Sequence, residues 1–112
     1  MDCLFCSIIK GDIPSTKVFE DEKCYAFLDI NPQAPVHCLV IPKTHLSSLN
    51  DVDDENSEII AHIMSIIPRI AIALGLENGY RVVTNIGEDG CQSVKQLHLH
   101  ILGGEKLSEN MA

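Results

Sequence analysis

The segment Gln96-Leu97-His98-Leu99-His100-Ile101-Leu102-Gly103-Gly104 alternates polar and apolar side chains, and this constrains the fold more than any other stretch of the chain. Side chains alternate across a β-strand, so Leu97, Leu99 and Ile101 need an apolar layer against them, while Gln96, His98 and His100 share the opposite face about 6.5–7 Å apart. The strand is expected to run from Val94 to Leu102. A lone strand histidine is usually half-buried and bonded to backbone. Two on one face, preceded by a Gly/Gln/Ser loop and followed by Gly-Gly, point instead to a shared phosphate or metal ion.

The rest of the chain supplies the sheet. Val18–Glu20 and Cys24–Leu28 flank the polar Asp21-Glu22-Lys23 and suit an antiparallel hairpin. Asp29–Pro35 is rich in turn formers, and Val36–Ile41 reads as a strand stopped by Pro42. Leu4–Lys10 predicts a short helix ending at Gly11. Ile59, Ile63, Ile66, Ile67, Ile70 and Leu74 have helical spacing, which predicts a helix from about Asp53 to Leu74, with Pro68 producing a kink or break near Met64–Ile67. Tyr80–Asn85 reads as a further strand and Gly87–Cys91 as a turn. The class is α+β: an antiparallel sheet of about five strands with one long and one short helix.

Length and charge narrow the functions. The 112 residues suit one domain, expected over 1–104, with 105–112 as a C-terminal tail. Eight Lys+Arg against sixteen Asp+Glu give a net charge of −8, which opposes binding to nucleic acid or an anionic membrane surface. No apolar run reaches the roughly 18–20 residues that cross a bilayer. Met1–Cys6 has no secretion-signal pattern, and five cysteines form an odd set best read as reduced thiols, so a cytoplasmic location is expected. An anionic substrate must then be held by local donors. The loop Asn85–Ser93 offers two amides, a hydroxyl and backbone N–H groups, but it is not a nucleotide P-loop, because the Lys-Ser/Thr pair is missing and the segment leads into a strand.

Taken together, Ile13-Pro14, Phe19-Glu20-Asp21, Ala26-Phe27-Leu28-Asp29, Pro32-Gln33-Ala34-Pro35-Val36-His37, Leu39-Val40-Ile41-Pro42-Lys43-Thr44-His45, Gly90-Cys91-Gln92-Ser93-Val94 and the histidine segment resemble the histidine triad (HIT) family. The Pro-Gln-Ala-Pro run and the ending Leu102-Gly103-Gly104 resemble its Hint-like branch of purine nucleoside phosphoramidate hydrolases. The resemblance implies a HIT-like fold, a homodimer with joined sheets, and hydrolysis of purine nucleoside 5′-phosphoramidates through a nucleotidyl-histidine intermediate, with no cofactor required for catalysis. His98 matches the nucleophile, His100 and His37 the flanking histidines, and Ser93 the hydroxyl near the leaving group. Asn85 and Gln92 match polar groups around the phosphate, together with Cys91 in the phosphate loop. Asp29 matches the carboxylate on the ribose hydroxyls, and Leu4, Phe5, Ile8, Phe27 and Ile30 match the apolar walls around the purine.

The chain also departs from that pattern. Gln96 stands where the first histidine of the triad is expected, and its amide can still hydrogen-bond across the site. Cys91 replaces a glycine, so its side chain is expected to shift backbone donors or narrow the pocket. Some bacterial relatives hold zinc through Cys3 and Cys6, the histidine matching His45, and the first triad histidine. Here the resemblance leaves two readings: a structural zinc on Cys3, Cys6 and His45 with Gln96 or water as the fourth ligand, or two reduced, half-buried thiols. Cys24 and Cys38 read as small strand residues and His62 as a helix-surface residue. Two alternatives to the hydrolase remain: a purine-nucleotide-binding interaction module with vestigial activity, and a metal-dependent hydrolase using His37, His98 and His100 as ligands.

Overall fold

The computed structural model describes residues 3–111, so Met1 and Asp2 of the expected domain and Ala112 of the expected tail lie outside the described residues. The elements are α1 (Leu4–Lys10), β1 (Lys17–Glu20), β2 (Cys24–Leu28), β3 (Val36–Pro42), α2 (Ser57–Ala73), β4 (Tyr80–Val83) and β5 (Leu99–Gly103). The five strands form one antiparallel sheet in the order β1-β2-β3-β5-β4.

Register decides what each face carries. Cys38 pairs with Ile101 and Val40 with Leu99, so these four share a face, and residues one position along in each strand take the other. On the first face Cys24, Ala26, Cys38, Val40, Leu99 and Ile101 pack against Ile63, Ile66, Ile67 and Ile70 of α2. Ile63 and Ile66 have no exposed surface, and full burial of such a side chain contributes about 1.5–3 kcal/mol. The second face holds Tyr25, Phe27, Leu39 and Ile41 against Phe5 and Ile8 of α1. It also carries His37 and His100, since His37 pairs with Leu102 and Leu39 with His100.

Both helices are bounded by their own chemistry. In α1 the Cys3 Sγ accepts the Cys6 N–H at 3.1 Å, and Gly11 ends the helix at φ 84°, a left-handed conformation that glycine adopts without a Cβ clash. The interruption expected near Met64–Ile67 does not occur, and α2 is one helix through Pro68. Pro68 lies on the exposed side, as does Met64, whose carbonyl loses its helical donor on the face of the helix open to solvent, which keeps the cost low. The helix also starts at Ser57 rather than Asp53, because the Asp53 carboxylate folds residues 53–56 into a turn by accepting the Glu55 and Asn56 N–H groups.

A second correction concerns β5, which begins at Leu99 and not at Val94. Extending the register would set Leu97 against Pro42, which has no N–H to give to a ladder. Residues 94–96 bend away instead. β4 is likewise shorter than expected, ending at Val83.

Candidate active site

A cavity of about 410 Å³ opens on the α1 face of the sheet. Its apolar wall includes Leu4, Phe5 and Ile8 from α1, Phe27 from β2 and Leu39 from β3, with Ile30 at the mouth, 88% exposed. The polar side brings together Asp29, His37, Ser93, His98 and His100. The Phe5 ring stands edge-on to Phe27 with centroids 5.7 Å apart, and edge-on to His98 at 5.0 Å.

Backbone bonds assign the histidine tautomers. The His98 Nδ1–H donates to the Gln96 carbonyl at 2.7 Å, which leaves the lone pair on Nε2. The Gln33 N–H donates to His37 Nδ1 at 3.0 Å, so the His37 proton sits on Nε2 and donates to His100 Nδ1 at 2.8 Å. His100 therefore carries its proton on Nε2. Among the described residues no buried side-chain nitrogen or oxygen lacks a partner, so the unbonded Nε2 atoms of His98 and His100 reach the cavity. One presents a lone pair and the other an N–H donor.

Burial favours the neutral forms of His37 and His100. It lowers the pKa of His100 to about 4, helped by His98 and His37 and opposed by Asp29. Burial also lowers the pKa of His37, again against Asp29. Asp29 Oδ1 accepts the Asn31 N–H at 2.8 Å and so caps the turn, while Oδ2 lies 3.5 Å from His37 Nε2. Asp29, His37 and His100 also bring potential metal-ligand atoms within 4.8 Å of one another, but the facing nitrogens of the two histidines are already used by their mutual hydrogen bond. His98 is not part of that group.

Three residues expected around the phosphate belong to the loop before β5. Asn85, Cys91 and Gln92 do not line the cavity. The Gln92 amide organises its own loop: Oε1 accepts the Gly87 N–H at 3.0 Å, and Nε2 donates to the carbonyls of Val94 and Ser47. Cys91 is exposed with φ 61°, the one non-glycine among the described residues in the left-handed region, so its side chain does not narrow the cavity. Gln96 is fully buried and faces the connection after β3 rather than the histidines. Its Oε1 accepts the Leu46 N–H at 3.1 Å, and Nε2 donates to Pro42 O at 3.0 Å and Thr44 O at 3.5 Å. Gln33 is a further site residue, since its backbone N–H sets the His37 tautomer; in the sequence only its place between two prolines hints at a shaped loop.

Cys3, Cys6 and His45 converge beside α1. The Cys3 thiol donates to Cys6 Sγ at 2.7 Å, and His45 Nδ1 lies 3.8 Å from Cys3 Sγ and 3.3 Å from Cys6 Sγ. Two sulfurs and an imidazole nitrogen are a donor set that suits zinc. Burial raises the pKa of Cys6, with further contributions from Cys3, which keeps the thiol protonated when no cation is present. The Gln96 oxygen, the other candidate for a fourth ligand, already accepts the N–H of Leu46 next to His45. The two buried strand thiols are inert: burial pushes Cys24 and Cys38 up to about 12. His62, expected on the helix surface, is half-buried and holds Asp21 Oδ2 at 2.6 Å, tying α2 to the β1–β2 turn.

A model of the HIT domain matches residues 10–107 of this chain. The 14 kDa zinc-binding protein of Zea mays is 49% identical over 107 residues, covering 94% of this chain and 84% of that protein. The crystal structure of a HIT family hydrolase from Legionella pneumophila superposes with a TM-score of 0.92 at 50% identity, over 96% of this chain and 97% of that one. A histidine triad protein from Clostridium difficile superposes at 0.93 with 52% identity, over 97% and 96%.

Proposed function

This chain belongs to the HIT domain family, and from that premise we propose that it is a nucleotide-binding hydrolase of the Hint-like branch, cleaving purine nucleoside 5′-phosphoramidates through a nucleotidyl group on His98. The observation that carries the proposal is the division of roles between two cavity nitrogens: a lone pair on His98 Nε2 and an N–H on His100 Nε2. His98 Nε2 attacks the α-phosphorus, a P–N bond forms and the bond to the leaving amine breaks. His100 donates to a phosphate oxygen, where charge builds in the transition state, and Ser93 lies beside the departing amine. Water then attacks phosphorus, releasing the nucleoside monophosphate and restoring the imidazole. The apolar walls take the purine, and Asp29 Oδ2 accepts from the ribose hydroxyls.

Cys3, Cys6 and His45 would hold a zinc ion, as the name of the maize relative suggests. Bound there, the ion cross-links the start of α1 to the connection after β3, a structural role. Two copies are proposed to join along the outer edge of β4, where Tyr80 and Val82, each 38% exposed, lie on the α2 face without cover. Five free thiols suit a reducing, cytoplasmic setting.

Incubation with adenosine 5′-phosphoramidate tests the reading, with AMP and ammonia as the expected products. Tight AMP binding without turnover of this or the guanosine substrate would leave a nucleotide-binding module. Turnover lost on chelation and restored by added metal would instead favour a metal-dependent hydrolase.

A further inference from the structure

Gln96 joins two parts of the molecule through one residue. Its side chain makes hydrogen bonds to Leu46 N–H, Pro42 O and Thr44 O, and the Leu97 N–H beside it donates to Leu46 O at 2.6 Å. Its own carbonyl receives the Nδ1–H of His98 at 2.7 Å. The peptide bearing that carbonyl lies in the bend at 94–96, outside the β5 ladder, so no strand pairing holds it. Two anchors on the connection that leaves β3 do so instead: the Leu97 N–H of the same peptide on Leu46 O, and the buried Gln96 amide on Leu46 N–H and Pro42 O.

We propose that Gln96 is a positioning residue for the nucleophile: its side-chain amide holds the Gln96 carbonyl where it keeps the His98 proton on Nδ1 and the lone pair on Nε2. The inference rests on the proposed role of His98, and it goes further in assigning a task to a residue that never meets substrate. Without the amide that peptide is left on the Leu97 N–H bond alone, about which the carbonyl tilts, so the imidazole samples both tautomers and the lone pair faces the cavity for only part of the time. Nucleotide affinity is expected to change little, because Gln96 is not among the residues that line the cavity.

The test uses the full chain and the variant Gln96→Met, which fills the space without hydrogen-bonding. Imidazole 15N shifts of the free protein at neutral pH read the tautomer directly and do not depend on turnover. The wild type is expected to show His98 protonated at Nδ1 alone, and the variant a mixture of tautomers. With adenosine 5′-phosphoramidate, kcat is expected to fall about 30-fold while AMP affinity stays within about threefold, a loss typical of a misplaced reacting group. Gln96→Glu keeps the acceptor for Leu46 N–H and carries the same test if Gln96→Met fails to fold; a smaller loss, about tenfold, is expected there. A folded variant with the wild-type tautomer and kcat would overturn the proposal, as would kcat and AMP affinity falling in parallel. If no phosphoramidate is turned over by the wild type, the hydrolase reading fails, and the 15N shifts alone still decide the role of Gln96.

Discussion

His37 Nε2 donates to His100 Nδ1 across 2.8 Å, joining β3 to β5 through two side chains on the cavity face. Because Gln33 N–H occupies the other nitrogen of His37, the bond has one direction, and its end in the cavity is a donor. The pair works only while both rings are neutral.

Neutrality has a consequence for stability. The unfolded chain takes up a proton on this imidazole near 6.5, whereas folded His100 does so only near 4, because of its burial and the neighbouring histidines. Stability from this group is therefore complete above about pH 6.5 and is lost as the pH falls toward 4, by on the order of 1–3 kcal/mol. Urea titrations at stepped pH should show this slope, and His100→Asn should flatten it. Asp21 contributes in a separate window: burial raises its pKa but is outweighed by the N–H groups of Lys23 and Cys24 and by His62, so its contribution is lost only below its ordinary 3.8. An unchanged slope in His100→Asn would place the buried imidazole elsewhere.

Cys91 holds φ 61°, where a Cβ crowds the backbone. Cys91→Gly relieves that strain, and the greater freedom of glycine in the unfolded chain offsets part of the gain, so a net stabilisation of about 0.5–1 kcal/mol is expected. The urea midpoint measures it. Turnover should stay at the wild-type level, since the side chain is exposed and outside the cavity.

Much of this was legible in the chain itself. The limits of α1 and β2 follow from local patterning, and the helical spacing of Ile63, Ile66, Ile67 and Ile70 marks the buried stripe of α2. Pro68 misled because its cost depends on whether Met64 faces water, which spacing alone does not reveal. Alternation extended the last strand back to Val94 because polar Gln96 and polar His98 look alike in a pattern of period two. Their environments differ: the Gln96 amide faces three backbone groups, whereas His98 faces a cavity. The loop-bracing bonds of Gln92 were hidden for a similar reason, since an amide suited to phosphate is equally suited to bracing its own loop.

Asp29 has two tasks that one substitution separates. Asp29→Asn keeps an oxygen for the Asn31 N–H and so preserves the turn, but it removes the charge from the acceptor facing the ribose. AMP affinity should weaken about 10- to 30-fold, the cost of losing hydrogen bonds to a charged acceptor. Affinity for 2′,3′-dideoxy-AMP should change little. Calorimetric titration of both ligands gives the comparison, and equal losses for the two would remove Asp29 from ribose recognition.

The cluster of Cys3, Cys6 and His45 predicts one zinc per chain in protein purified without chelator, measured by elemental analysis. Removing the metal should lower the melting temperature by several degrees while leaving kcat within about twofold, as expected of a structural ion. Cys6→Ser should abolish retention. Metal-free protein with the same melting temperature before and after zinc addition would leave Cys3 and Cys6 as ordinary thiols.

In the proposed reaction His98 Nε2 attacks phosphorus. Rapid acid quench during turnover of adenosine 5′-phosphoramidate, followed by intact mass and peptide mapping, traps the product of that attack. The expected result is a single adenylyl group on His98, absent in His98→Ala, whose turnover falls below detection while AMP still binds. Turnover persisting in His98→Ala, or an adenylyl group mapped to another residue, would contradict it.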